Sequence, residues 1–287
     1  MSLWKAAECF PALVFLGDFF QLPGVEPTSA RDSFLWSRVE KIKLHEMIRC
    51  QCSLLRKKLD ILRTAKPSSR QLRFILRGHK APSSAYFDQN TEAPSAEEVS
   101  QILTETPQTL FLTVSRRACA HLNDRAVKSH FPDAVPVAVL PTDPESNVAN
   151  YEGSKLVFDT PLGTPIFIGM RVVMTKNLNK EAGYVNGMGG VVLGMEADAV
   201  LVRTDQGRVI SIYPWTSETR RVHYPMRLGY ASTLHKVQGA TLDHITLWLD
   251  LAGMPAAAYV ALSRVRRDSD WRIVGHRTVH HFTPAKG

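Results

Sequence analysis

Two polar side chains, Asp18 and Gln21, follow the first apolar run of the sequence at the point where that run enters a turn. The block reads L-G-D-F-F-Q-L-P-G-V from Leu16 to Val25. Because ligands of open α/β sheets bind beyond the carboxyl ends of the strands, a carboxamide there could contact a terminal phosphate or the water that attacks it. A strand and turn capped by Asp18 would explain the block at least as well, so the block alone leaves both interpretations open.

A second apolar run ends in a group of polar residues between Ser232 and Leu242. The group consists of Thr233, His235, Lys236, Gln238 and Gly239. A glycine at a strand end lets the backbone approach a ligand closely, because it has no Cβ. A third block, from Tyr259 to Arg266, predicts a helix that carries Arg264. Arginine suits phosphate because its planar guanidinium donates two parallel hydrogen bonds, although a lone Ser-Arg pair on a helix usually has no such role.

A fourth block, G-M-R-V-V-M-T-K-N-L-N, runs from Gly169 to Asn179 and leads into Y-V-N-G. On physical grounds it predicts only a strand and a hairpin. The pair Asn186-Gly187 is a strong signal for a tight turn.

Strands and helices alternate along the first half of the chain. In order, we predict a strand at 12–17, helical structure at 53–77, a surface loop at 81–98, a strand at 110–114 and a helix at 117–129. The first is a continuous apolar run, which is typical of a central parallel strand buried on both faces, and its flanks do not match a signal peptide. Leu55, Leu59 and Leu62 form one apolar stripe of the helical segment.

Beyond Pro165 the hydrophobic period changes to two. Short strands are predicted at 171–174, 190–193, 199–202 and 209–212. So many short strands within about sixty residues predict a small antiparallel β-barrel inserted in an α/β domain. After it we predict strands near 228–234, at 245–249 and near 271–274, and a helix at 256–265.

The positive charge is concentrated in one segment. The net charge is +8, whereas Arg38 to Lys80 alone holds thirteen Lys and Arg against three acids. The rest of the chain is therefore slightly acidic. A basic surface of this kind is typical of nucleic-acid binders, because it displaces counterions from phosphates; a solvated helix face rich in Lys and Arg is an equal alternative on this feature alone.

Composition indicates an ordinary globular protein, with 44% hydrophobic and 22% charged residues. No apolar run reaches the ~20 residues that a membrane-spanning helix needs. Four scattered cysteines predict an intracellular, reducing compartment (nucleus, mitochondrion or bacterial cytoplasm). Cys50 and Cys52 lack a second pair at zinc spacing, so no metal site is predicted. We expect His276, His280 and His281 to form a solvated tail.

In this order the four blocks resemble the Pif/RecD-like branch of superfamily-one DNA helicases. The family motifs are G-D-F-x-Q-L-P-P-V, G-x-x-V-M-L-x-x-N with L-V-N-G, T-I-H-K-S-Q-G and Y-V-A-L-S-R. The resemblance covers residues 16 to about 273 and is weakest across 81–160. Departures include Gly24, Tyr230 and Met254 to Ala256, where the family has a proline, a tryptophan and a Gly-Gln pair.

The resemblance implies an ATP-dependent DNA helicase in which two RecA-like domains clamp ATP and Mg²⁺ and move along single-stranded DNA, typically 5′ to 3′. Arg49 matches the family's L-x-x-x-F-R-Q block. The implied catalytic residues are Gln21, Arg49 and Arg264. The implied nucleotide-binding residues are Asp18, Gln21, Gly239 and Arg264, and the implied DNA-binding residues are Thr233, His235, Lys236, Gln238 and Asn186. Expected partners are single-stranded DNA and duplex junctions, and expected processes are replication, repair, recombination and telomere maintenance.

The sequence holds no G-x-x-x-x-G-K-[ST] and no Asp-Glu pair. In the family's order both would precede Met1, so we expect a helicase portion that is inactive by itself. The expected domains are 1–45 as the end of a first RecA-like domain, 46–164 as the first part of a second with a loop at 81–104, 165–227 as the barrel, and 228–287 as the remainder and tail. Two alternatives are a catalytically inactive nucleic-acid-binding remnant and a fragment of a conjugation or transposon-linked helicase.

Overall fold

The protein is represented by a computed structural model that describes residues 14–22, 30–44, 47–79, 93–152, 155–158, 160–181, 184–218, 220–275 and 277–285. Five α-helices lie in these ranges: α1 Ser53–Thr64, α2 Ser69–Leu76, α3 Ala96–Glu105, α4 Arg116–His130 and α5 Ala257–Leu262. No helix of the described part is long and apolar enough to cross a membrane.

A parallel sheet organises the chain. Its four strands are β1 Leu110–Thr113, β13 Ala231–Thr233, β14 Ile245–Trp248 and β15 Trp271–Ile273. Their spatial order is β13-β1-β14-β15, and every neighbouring pair is parallel. Because parallel strands need crossover connections, residues far apart in sequence are brought to one edge of the sheet.

The two faces of this sheet are covered by different helices. Phe111 packs in a core with α3 and α4, whereas its neighbour Leu112 packs in a core with α1, α2 and α5. Both side chains are fully buried, as expected for adjacent residues of a strand that is covered on both sides. The predicted α/β architecture is therefore present.

An antiparallel sheet of five strands lies between β1 and β13 in sequence. Its strands are β6 Arg171–Met174, β7 Gly189–Glu196, β8 Ala199–Thr204, β9 Val209–Ile212 and β12 Met226–Leu228, in the order β12-β6-β7-β8-β9. Three two-stranded pairs accompany it: β2 Ala138–Pro141 with β5 Gly163–Ile166, β3 Tyr151–Glu152 with β4 Lys155–Leu156, and β10 Trp215–Thr216 with β11 Val222–His223. The predicted strands are confirmed, and closure into a barrel stays a prediction.

The expected buried strand at 12–17 is wrong over its described part. Residues 14–17 form no strand, and Val14, Phe15 and Leu16 are 79%, 76% and 90% exposed. A central strand becomes buried only when strands flank it and layers cover both faces. The described residues provide neither around this run, and the first two positions of the predicted strand, 12–13, lie outside the described ranges.

Two other segments depart from the predicted elements. The helical stretch 53–77 is divided, because Pro67 cannot continue a helix and Ser68 caps α2 through a capping box with Gln71. The predicted loop at 81–98, extended to 104 in the domain boundaries, ends earlier, since Ser95 caps α3 and Glu98 donates its N–H to the Ser95 hydroxyl. Residues 80–92 lie outside the described ranges.

The predicted strand near 228–234 is two strands in different sheets, β12 and β13. They separate at Gly229, where a Cβ would lie 3.1 Å from the backbone of Val172. The expectation of a solvated tail fails for His281, which is buried and accepts the backbone N–H of Thr278. His280 is exposed, and His276 lies outside the described residues.

Candidate nucleotide and nucleic-acid site

The candidate site lies at the carboxyl edge of the parallel sheet, where β1, β13 and β14 end. Asp250, which follows β14, accepts the backbone N–H groups of Val114 (2.7 Å) and Ser115 (3.2 Å). Burial raises the pKa of Asp250, against these hydrogen bonds. Ser115 in turn caps α4. This carboxylate, which no motif indicated, joins the ends of β1 and β14 at the edge where the turn after β13 begins.

Arg264 is buried at the end of α5, with 1% of its surface exposed. Its Nε donates to the Val260 carbonyl at 3.0 Å, and its Nη2 donates to the Ser263 hydroxyl at 2.7 Å. Its Nη1 is buried and has no hydrogen-bond partner within the described structure. Burial, followed by the nearby charge of Arg49, lowers the pKa of Arg264 to about 10. The guanidinium therefore stays charged at neutral pH and retains one nitrogen, Nη1, whose N–H groups have no acceptor within the described structure.

Arg49 lies beside Arg264 and is bound to protein acceptors through all three guanidinium nitrogens. Nε donates to the Thr241 hydroxyl (2.8 Å), Nη1 to the Ser263 carbonyl (2.9 Å) and Nη2 to the Gly239 carbonyl (3.0 Å). In this conformation Arg49 joins the turn after β13 to the end of α5. Its neighbours His45 and Glu46 lie outside the described residues.

Asp18 and Gln21 reach the same place from the start of the chain. The Phe20 N–H donates to Asp18 Oδ1 (3.0 Å), and Gln21 Nε2 donates to Asp18 Oδ2 (3.4 Å). Gln238 Nε2 donates to Gln21 Oε1 at 3.1 Å, so the first block contacts the turn after β13 directly. Arg63 of α1 lies 3.9 Å from Asp18. The remainder of this block, residues 23–25, lies outside the described ranges.

Lys236 points to the other side of the same turn. It pairs with Glu145, which also lies 3.3 Å from Arg116 and 3.9 Å from Arg227. Neither Glu145 nor the two arginines were predicted as site residues, because they lie in segments with no motif. They come together only through the fold.

The remaining predicted residues divide into three cases. Thr233 is buried at the end of β13, and its carbonyl accepts the Lys236 N–H at 3.0 Å. His235 is exposed on the turn, and partial desolvation of its ring, followed by the charge of Arg116, lowers its pKa, so the ring is mostly neutral at pH 7. Asn186 is exposed in the turn before β7, and its described hydrogen bond is from its backbone N–H to Asn177. The structure thus brings the predicted residues together except Asn186.

The basic segment is partly structural. Lys58 is buried, Arg63 lies against the Phe20 ring, and Arg56 donates to backbone carbonyls. The exposed cations of α1 and α2 and of their flanks are Arg56, Lys57, Lys66, Arg70, Arg73 and Arg77. The net charge of the segment therefore overstates the charge that is available to a ligand.

Sequence and structure comparisons agree on one group of proteins. No family model matches the chain. The chain is 36% identical over 119 residues to the ATP-dependent DNA helicase Pif1 of Bdellovibrio bacteriovorus, which covers 38% of this chain and 26% of the relative. It is 35% identical over 118 residues to human ATP-dependent DNA helicase PIF1, which covers 37% of this chain and 18% of the relative.

The chain resembles part of the Pif1 helicases. The structure of Bacteroides Pif1 bound to single-stranded DNA matches 92% of this chain and 62% of that one, with a TM-score of 0.64 and 21% identity. The resemblance that the motifs indicated is thus confirmed, and the fold is that of the Pif1 structures. The chain spans about a quarter or less of these curated relatives and under two thirds of the solved protein.

Proposed function

We propose that this chain is the portion of a Pif1-type, ATP-dependent DNA helicase that responds to bound nucleotide and contacts single-stranded DNA. The observation that carries the proposal is the turn from Thr233 to Gly239. On one side it contacts Gln21 and Arg49, and on the other it carries Lys236 into a cluster of cations. A nucleotide site and a nucleic-acid site would therefore share a single short turn.

The residues on the nucleotide side fit a phosphate. Arg264 Nη1 is buried without a partner in the described structure, and a buried donor without an acceptor costs about 1–3 kcal/mol. A phosphate oxygen would supply the missing acceptor for a guanidinium that Val260 and Ser263 already hold in place through Nε and Nη2. Gln21 would lie beside that oxygen as a neutral amide oriented by Asp18 and Gln238.

ATP would supply the transferable phosphoryl group, and Mg²⁺ its charge neutralisation. Arg264 would hold the terminal phosphate, and Gln21 would orient a water or a phosphate oxygen through its carboxamide. Arg49 would keep the Gly239 turn and the end of α5 at a fixed separation. No group of three or more His, Cys, Asp and Glu side chains that could hold a metal occurs in the described ranges.

On the nucleic-acid side, Lys236, Arg116 and Arg227 would meet phosphates of a single strand, and the exposed cations of α1 and α2 would extend this surface. Contacts of this kind make binding depend on salt, with a log–log slope of about 0.7 for each phosphate neutralised on a single strand. We therefore expect this chain to bind a fluorescent oligo(dT) with an affinity that falls steeply as the salt concentration rises from about 50 to about 200 mM.

The test compares two lysines. Lys236→Gln should weaken binding and reduce the slope by about 0.7, which corresponds to one phosphate contact. Lys128→Gln, on the exposed face of α4 where Lys128 pairs with Asp124, should leave both nearly unchanged. An affinity that does not respond to salt would contradict the DNA-binding part of the proposal.

The catalytic part is tested separately. Because this sequence holds no phosphate-binding loop motif, we expect it to show no DNA-stimulated ATP hydrolysis by itself. Turnover by this chain that is abolished in Arg264→Ala would overturn that expectation. We propose that the complete helicase moves 5′ to 3′, unwinds duplex junctions and acts in replication, repair, recombination or telomere maintenance. The alternative, a catalytically inactive remnant, would show only the DNA binding.

A further inference from the structure

Four charged side chains from four parts of the chain form one cluster, in which three cations surround Glu145. Arg116 comes from the first turn of α4, Arg227 from β12 and Lys236 from the turn after β13. The cluster of these four residues, called here the Glu145 cluster, has a net charge of +2, from three cations and one carboxylate. One carboxylate neutralises only one of the three cations, so the cluster could hold a group with more anionic oxygens than a single side chain provides.

The backbone around Glu145 is held firmly. Asp143 accepts the Glu145 N–H at 3.1 Å, the Tyr151 hydroxyl donates to the Glu145 carbonyl at 3.3 Å, and Asn150 donates to the Pro144 carbonyl at 3.0 Å. Only the side chain can therefore leave the cluster without rearranging the loop. Glu145 retains 25% exposure, so water is available to receive its carboxylate.

Two observations indicate that the cations serve a ligand as well as Glu145. Arg227 Nε is buried and has no hydrogen-bond partner in the described residues, although Arg227 lies only 3.9 Å from the carboxylate. Glu145 also lines an adjoining cavity of about 400 Å³, where Lys176 lies 4.4 Å from the centre of the Trp215 ring. A single strand that passes the cluster would have a basic and aromatic surface beside it, as single-strand binders commonly provide.

We propose that Arg116, Arg227 and Lys236 form a binding site for a backbone phosphodiester of single-stranded DNA, and that the Glu145 carboxylate occupies this site until the strand displaces it. This inference rests on the proposed function and specifies one of its contacts. Glu145 then acts as a competitor that keeps the cations in position and lowers the affinity of the empty protein. Burial alone would raise the pKa of Glu145, but Lys236 and the two arginines hold the pKa below its ordinary value, so the competitor is charged at neutral pH.

The test removes the competitor. Glu145→Gln should bind oligo(dT) about tenfold more tightly than the parent chain, because each partly exposed ion pair that no longer has to be broken is worth a factor of up to about five. In the parent chain, the displaced Glu145 carboxylate takes up a cation from solution, which offsets part of the counterion release from DNA. Glu145→Gln has no such carboxylate, so the dependence of log affinity on log salt concentration should become steeper by up to about 0.7. Glu145→Asp, whose shorter side chain reaches the cations less well, should give an intermediate affinity.

Glu218→Gln is the matched control. Glu218 lines the same cavity, and within the described structure no ion pair joins it to the three cations. Its removal changes the net charge by the same amount, so a general electrostatic effect would appear equally in both variants. Combining Glu145→Gln with Lys236→Gln should abolish most of the gain, and thermal unfolding of each variant checks that the fold is retained.

The outcomes are distinguishable. A gain confined to the Glu145 variants supports the inference, whereas equal gains in Glu145→Gln and Glu218→Gln, or weaker binding by folded Glu145→Gln and Glu145→Asp, would overturn it. A parent chain that does not bind oligo(dT) at low salt would instead contradict the proposed function itself.

Discussion

Replacing Lys58 with alanine removes the cation from a buried cluster that ties α1 to the start of β15. Lys58 is 1% exposed, and its Nζ lies 2.8 Å from Asp268 Oδ2 and 2.7 Å from His79 Nε2. The His79 ring stacks on Trp271 at 3.7 Å, and the Trp271 indole N–H donates to Asp268 at 3.2 Å. Each polar group in the cluster therefore depends on a neighbour that is also buried or nearly so.

The expected loss follows from what the carboxylate retains. Breaking a buried ion pair by removing one partner costs about 3–5 kcal/mol, because the other charge stays buried. Asp268 keeps 13% exposure and its contacts with His79 and Trp271, so we expect about 3 kcal/mol for Lys58→Ala. Lys58→Met fills most of the volume and should cost less, and Lys58→Met combined with Asp268→Asn should recover part of the loss.

The cluster also predicts how stability depends on pH. Burial lowers the pKa of His79 from its ordinary value of 6.5, so below pH 6.5 the unfolded chain binds a proton that the folded chain does not, and stability falls. The pKa of Asp268 is lowered too: burial opposes this, but Lys58 and His79 outweigh it. That contribution is present above the unfolded pKa of about 3.9 and is lost as the pH falls through the folded value.

Urea denaturation followed by far-ultraviolet circular dichroism at pH 7 measures the cost of Lys58→Ala, and its repetition at pH 5 measures the contribution of His79. Lys57→Ala, at the exposed neighbouring position on α1, is the control and should change the free energy of unfolding by less than about 0.5 kcal/mol. If Lys58→Ala were within about 1 kcal/mol of the parent chain, the reasoning from buried charge would be refuted.

Two further predictions use the same measurements. Gly239 has φ +88° and its carbonyl accepts from Arg49, so Gly239→Ala should destabilise the chain by about 1–2 kcal/mol and weaken binding to oligo(dT). The control is Gly207→Ala, with φ +81° in the β8–β9 turn, which should lose stability but bind oligo(dT) as the parent chain does. Equal effects of the two variants on binding would contradict the role of the turn after β13. Burial lowers the pKa of His244 to about 4, so between pH 6.5 and pH 4 the unfolded chain binds a proton that the folded chain does not. Lowering the pH over this range should therefore reduce the free energy of unfolding by roughly 3 kcal/mol. Urea midpoints should show a smaller loss in His244→Gln.

Sequence patterns predicted most helices and strands correctly, because the spacing of apolar residues within a segment determines which of its faces is buried. The stripe of Leu55, Leu59 and Leu62 is buried as expected, and the alternating strands from Arg171 to Ile212 are present. Where prediction failed, a distant or stereochemical factor decided. Pro67 ends α1's helical pattern, and Gly229 is required because the backbone of Val172 lies against it.

The site illustrates the same limit. Gln21 and Arg49 are recognisable from motifs, and the structure brings them to the turn after β13, with Arg264 beside Arg49. The groups around them carry no pattern: Arg63 lies near Asp18, Asp250 accepts from Val114 and Ser115, and Glu145 pairs with Lys236. Charge counting also misled in part: Lys58 adds to the basic total of its segment, yet it is neutralised in the core. Sequence identifies residues that a chemistry needs, whereas the groups that orient them depend on crossover connections.

The turn from Thr233 to Gly239 is short, and backbone hydrogen bonds connect its residues. The Thr233 carbonyl accepts from Lys236, and the Val237 carbonyl accepts from Ala240, both at 3.0 Å, so successive hydrogen bonds leave it little freedom. Gln21 holds it through Gln238 on one side, and Glu145 holds Lys236 on the other. Because both contacts are made by side chains of the same hydrogen-bonded turn, a shift at Gln21 can be carried to Lys236 for as long as the Gln21–Gln238 hydrogen bond holds. Under the proposed function, that is the shortest route by which a phosphate contact could change the hold on a DNA strand.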